Sequence, residues 1–80
     1  MIIIVTLNKD QLLQDDEDKV TEFVTAKHGF TLTARDALIG KLDLEFATIN
    51  SVLEDDISLM QRDLQALIED EKLIVLIADE

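Results

Sequence analysis

The sequence predicts an α/β domain of order β-α-α-α-β, with three helices packed on a small two-stranded sheet formed by the N- and C-terminal strands. Two short runs of aliphatic, largely β-branched residues, Ile2-Ile3-Ile4-Val5-Thr6-Leu7 and Leu73-Ile74-Val75-Leu76-Ile77, lie near the two ends. Such runs read as strands buried on both faces. Between them, apolar residues recur at three- and four-residue spacing, the period of an amphipathic helix. The 80 residues contain no proline and only two glycines. With no linker in view, residues 1–80 read as one acidic domain.

The first helix is expected from Asp16 to His28, with Val20, Phe23 and Val24 on one face. Asp15 to Asp18 crowd its start and Lys27 and His28 its end, as the helix dipole prefers. Gly29 supplies a left-handed stop. Leu12 and Leu13 are expected to pack a turn or short helix beneath it. A second helix is expected after Thr33 as N-cap, with Asp36 close to a capping-box position. Its stripe is Leu38, Leu42, Phe46, Ile49 and Leu53, with Gly40 and Asp43 as points where it could divide. A third helix starts at Asp55 or Asp56 and turns Ile57, Met60, Leu64, Leu67 and Ile68 inward. Three helices of alternating direction would leave the terminal strands parallel, joined by a right-handed crossover. Two apolar strands are marginal alone, so a homodimer paired through the sheet is one way to cover them.

Composition bounds the function. Seven basic against 18 acidic residues give a net charge of −11. That balance repels nucleic acid and anionic membranes and attracts basic surfaces. There is no cysteine, which excludes disulfides and thiolate metal sites and suits a cytoplasmic location. No apolar run reaches the roughly 20 residues of a membrane span, and Met1–Leu7 lacks the flanks of a signal peptide.

Little in the residues points to catalysis. His28 is the only histidine, and at a helix end it serves the dipole when protonated. The run Asp15-Asp16-Glu17-Asp18 fails as an EF-hand. Counting from Asp10, the glycine position is Asp15 and the bidentate position Thr21; counting from Asp16, that last position is Lys27. No phosphate loop or nucleophile motif is present. The acids fall in polar runs, without the desolvated pocket that separates the pKa values of a catalytic pair. A non-enzyme without cofactor or metal is expected.

The acidic clusters carry the functional expectation. Glu69, Asp70 and Glu71 follow the third helix at its C-terminal end, where the dipole favours bases. A local rule broken without compensation marks a functional site; a helix ending by Ile68, with the acids in a solvated turn, is the other reading. Glu54, Asp55, Asp56 and Asp63 extend the acidic character along the same helix. These seven residues are the expected partner-binding set.

Two resemblances bear on function. Phe46 to Val75, particularly Ile57–Leu67 followed by Lys72-Leu73-Ile74-Val75, resembles a winged helix-turn-helix. That family implies a short helix, a tight turn, a recognition helix and a strand. Arg62 is the only base on the would-be recognition helix, whereas a DNA reader needs several. The resemblance therefore implies a regulatory or structural module that dimerises or docks on protein. An ordinary amphipathic helix feeding a strand explains the same residues. In size and charge the chain is similar to the small acidic DNA-mimic proteins that phages and mobile elements use against nucleases, restriction systems, repair enzymes or CRISPR effectors. That similarity implies an inhibitor or adaptor whose carboxylates engage a basic, nucleic-acid-binding protein.

Overall fold

The computed structural model describes residues 1–50, 52–68 and, as backbone, 73–79. The elements are β1 (Ile2–Asn8), α1 (Asp16–Glu22), β2 (Thr31–Leu38), β3 (Lys41–Ala47), α2 (Glu54–Ile68) and β4 (Leu73–Asp79). A 3-10 turn at Lys9–Gln11 follows β1, and a π-helical turn at Phe23–Lys27 prolongs α1. The strands form one sheet in the order β2-β3-β1-β4, every neighbouring pair antiparallel. β1 and β2 therefore run parallel with β3 between them, and β3 and β4 run parallel with β1 between them. This is the split β-α-β topology of ferredoxin-like folds.

The expected β-α-α-α-β fold, with three helices on a two-stranded sheet, is therefore wrong. Its middle helix is the β2–β3 hairpin. The leucines at 38 and 42 and Phe46 fit a helical stripe, but they leave out Leu44. Leu42-Asp43-Leu44-Glu45-Phe46 alternates strictly, and the structure buries Leu42, Leu44 and Phe46 while leaving Asp43 and Glu45 partly exposed. That is the period of a half-buried strand. Ile39 stands fully exposed at the hairpin tip. Thr33 caps no helix: its Oγ1 donates to the Glu45 carbonyl oxygen at 3.2 Å and to Glu45 Oε2 at 2.8 Å. The terminal strands do pair, but antiparallel, with β1 interior to the sheet rather than at its edge. The segment from Phe46 to Val75 comprises the end of β3, the helix α2 and the start of β4.

Gly40 makes the two-residue hairpin connection possible. Leu38 pairs with Lys41 across it, and Gly40 has φ of 72°, a conformation that costs L-residues roughly 1–2 kcal/mol. Its O accepts from the Lys9 N–H at 3.2 Å, tying the hairpin to the 3-10 turn. An added Cβ would meet only Asp10 Oδ2 at 3.7 Å, so the cost of substitution lies in the backbone. Gly40→Ala is expected to lose roughly 1–2 kcal/mol of stability, measured by urea denaturation. A loss near zero would show that the turn relaxes to another type.

One face of the sheet carries the core. In β1, Ile3, Val5 and Leu7 point to it, in register with Phe46, Leu44 and Leu42 of β3. Val20 and Val24 from the first helical segment, Phe30, and Met60, Leu64 and Ile68 of α2 close the layer. Each such side chain, fully buried, contributes roughly 1.5–3 kcal/mol. The first helical segment ends as its composition suggests. Gly29, with φ of 73°, donates its N–H to the Thr25 carbonyl oxygen, and the Phe30 N–H reaches Val24 O. Leu12 packs against the core, whereas Leu13 is exposed. Leu67, expected inward, is 40% exposed because Leu64 and Ile68 already occupy the inward face of α2.

Candidate functional site

Both helices pack on one face of the sheet, so the alternation of every strand sends a second set of side chains to the opposite, helix-free face. Ile2, Ile4, Thr6 and Asn8 lie there on β1. Ala47, Glu45, Asp43 and Lys41 are their register partners on β3. On β2 the row continues with Thr31, Ala34, Asp36 and Leu38. The register shift between Leu32 and Ala34 is a bulge that accommodates Thr33.

Asp43 is the unusual member of this face. Its Oδ1 is buried and finds no hydrogen-bond partner among the described residues. Thr6 on β1 and Asp36 on β2 are its two register partners. Asp36 thus sets a second carboxylate directly opposite the first, an arrangement that destabilises an antiparallel pair. Leaving a buried acceptor unsatisfied costs a further roughly 1–3 kcal/mol. Glu45, two residues along the same face, is held by the Thr33 hydroxyl. Asp36, Asp43 and Glu45 together make an acidic band beside the aliphatic positions Ile2 and Ile4.

Of the nearby bases, Lys41 shares this face at the turn end of β3, in register with Leu38 and Asn8 rather than with an acid, and Arg35 is turned away from it. Arg35 leaves β2 on the helix side and meets Glu17 of α1, with Nε–Oε2 at 2.7 Å and Nη2–Oε1 at 3.0 Å. The hydrogen bonds that Arg35 donates to Glu17, and then the Glu17 charge, raise the Arg35 pKa above its ordinary value. The pair is solvent-exposed and contributes little to stability.

The acids expected to bind a partner are distributed differently. Glu54, Asp55 and Asp56 are exposed in the first turn of α2, where negative charge complements the dipole. Their position is accounted for by helix stability. Asp56 and Asp63 line a shallow cleft with Lys27, His28 and Leu59, so two bases share it. His28 packs at a tilt against Phe23, with ring centroids 4.9 Å apart, and Lys27 Nζ lies 5.7 Å from the centroid of the same Phe23 ring. Glu69, Asp70 and Glu71 lie outside the described residues. The structure therefore brings Asp56 and Asp63 together in one cleft. The α2 acids sit in the helix layer, across the sheet from Asp36 and Asp43.

Asp36 and Asp43 were not legible as a site while their segment read as a helix, in which Asp36 had a capping role and Asp43 was a break point. The alternation around Leu44 was the signal that could have found them. Among the described residues, no group of three or more His, Asp or Glu is placed to hold a metal ion. No helix among them is long and apolar enough to cross a membrane.

Stability is expected to rise with added salt. Net charge of −11, the Asp36–Asp43 pair, and Asp18 with Glu22 on α1 all repel, the helical pair by roughly 0.2–0.5 kcal/mol. At about 0.15 M ionic strength, screening confines these interactions to about 8 Å. The Arg35–Glu17 attraction weakens as well, but it is one contact against many repulsions. A Tm that stays flat or falls between low and moderate sodium chloride would contradict this balance.

Comparison of the chain with protein-family models, curated proteins and solved structures gives no match.

Proposed function

We propose that this protein is a non-catalytic inhibitor or adaptor whose acidic surface, centred on Asp36 and Asp43 of the helix-free sheet face, engages a basic, nucleic-acid-binding protein. The observation that supports it is the buried Oδ1 of Asp43, without a hydrogen-bond partner among the described residues and opposite a second carboxylate. A face selected only for stability would carry a neutral β-former such as Thr or Val at this position. A lysine or arginine supplied by another molecule relieves both penalties together. With 18 acidic residues, the remaining surface steers the encounter over longer range. Carboxylates then stand where the partner would otherwise hold phosphates, which is the logic of a DNA mimic.

The test is affinity capture from a bacterial lysate with the wild-type protein and with Asp36→Lys/Asp43→Thr. Wild type is expected to retain nucleic-acid-binding proteins that moderate salt releases and duplex DNA displaces. The variant, shown to be folded by circular dichroism, is expected to lose them. Identical capture by both proteins, or capture indifferent to competing DNA, would defeat this reading.

A further inference from the structure

We infer that the outer edge of β2 takes a basic, extended segment of the partner as a fifth strand of the sheet, an inference that rests on the proposed acidic binding face. β2 is the terminal strand beside β3, so half of its backbone N–H and C=O groups face outward with no strand among the described residues against them. All eight of its residues, Thr31–Leu38, are exposed. Natural edge strands are usually blunted by lysine, proline, bulges or a covering element. The segment has no lysine or proline. Its irregularity lies between Leu32 and Ala34, and from Ala34 to Leu38 every residue pairs in sequence with Glu45 to Lys41. A regular five-residue edge is thereby left open, with the small residues Ala34 and Ala37 allowing close approach.

Charge selects the occupant. The one base in this strand, Arg35, is held by Glu17, and Lys41 on the same face stands opposite Leu38, so Asp36 and Asp43 oppose each other with no base in register. A strand added outside β2 places one residue directly across from Asp36, with Cβ atoms about 5 Å apart. A lysine or arginine there meets an acidic position already short of a cation. A second copy of this chain would instead bring net charge −11 against −11. Strand addition draws its affinity from main-chain hydrogen bonds and its specificity from alternate side chains. In this case the side chains facing the acidic band are the basic ones.

The experiment uses the full 15N-labelled chain and two capped eight-residue peptides, one alternating lysine with valine and one alternating glutamate with valine. Each is titrated to about 2 mM, a range in which weak strand addition is visible. The lysine peptide is expected to slow exchange of the outward-facing amides within Ala34–Leu38 by at least about tenfold, and Asp36→Lys to weaken its binding by about tenfold or more, while the glutamate peptide gives no protection. Changes at Thr6, Asp43 and Glu45 without protection of β2 would refute strand addition and leave the acidic-face reading standing. Equal protection by both peptides would refute the charge selection. Protection of β2 without peptide that grows with protein concentration would assign the edge to a second copy and overturn the proposal.

Discussion

Removal of residues 1–5 is expected to abolish cooperative unfolding. β1 lies inside the sheet, so the cut removes four of its pairings with β3, Ile2↔Ala47 to Val5↔Leu44, and four with β4, Ile2↔Asp79 to Val5↔Leu76. It also removes the fully buried side chains of Ile3 and Val5. Truncating a single buried isoleucine or leucine to alanine costs roughly 2–5 kcal/mol, whereas a whole native domain is stable by only roughly 5–15 kcal/mol. Loss of an interior strand exceeds that margin. Graded substitutions locate the threshold. Ile3→Val should cost roughly 0.5–1.5 kcal/mol and remain folded, while Phe46→Ala should cost roughly 3–5 kcal/mol and leave little native population at 37 °C. A truncated chain that still melts in one sharp transition would show that β3 and β4 can close the sheet without β1.

The same strands show how much of the fold the amino acids disclose. Ile2–Leu7 and Leu73–Ile77 are continuous aliphatic runs, and they do pair. Their direction depended on the number of helices between them, which one segment decided. Residues 38–46 satisfy two periods at once, because Leu38, Leu42 and Phe46 are four apart and Leu42, Leu44 and Phe46 are two apart. Packing against β1 resolves the conflict, since Leu42, Leu44 and Phe46 sit in register with Leu7, Val5 and Ile3. That information is tertiary. Gly40 offered a local hint, since a residue suited to positive φ breaks a helix at its midpoint; here it forms the turn. The helices at Asp16 and Glu54 were legible because their acids sit in the first turn, where the dipole favours them.

The acidic site was half legible. Charge excess gave the basic partner proposed above as an expectation from composition alone. Location did not follow, because runs of acids draw the eye to Glu54–Asp56, which the helix start explains, while Asp36 and Asp43 are seven residues apart. Only the hairpin register makes them neighbours. A carboxylate pair formed across strands leaves no run in the sequence.

Asp43→Thr is therefore expected to stabilise the protein by roughly 1–3 kcal/mol, the range set by the unsatisfied buried acceptor it removes. Threonine suits a strand interior, and the register places it opposite Thr6, giving a favourable cross-strand pair. The like-charge opposition to Asp36 disappears in the same step. Binding should move the other way. Deleting a central charge that faces a partner's arginine costs roughly 2–5 kcal/mol of affinity, against a much smaller change for an acid at the rim. Asp36→Thr is the control. It also ends the repulsion, but Asp36 is exposed, so its stabilisation should be smaller and confined to low salt. Denaturant melts of the two variants, with titration calorimetry against a protein captured by wild type, give both quantities. Loss of stability in Asp43→Thr would mean that the carboxylate serves the fold. A gain in stability with unchanged affinity would free the sheet face of any binding role and return the contact to the acids of α2, beginning with Glu54 to Asp56.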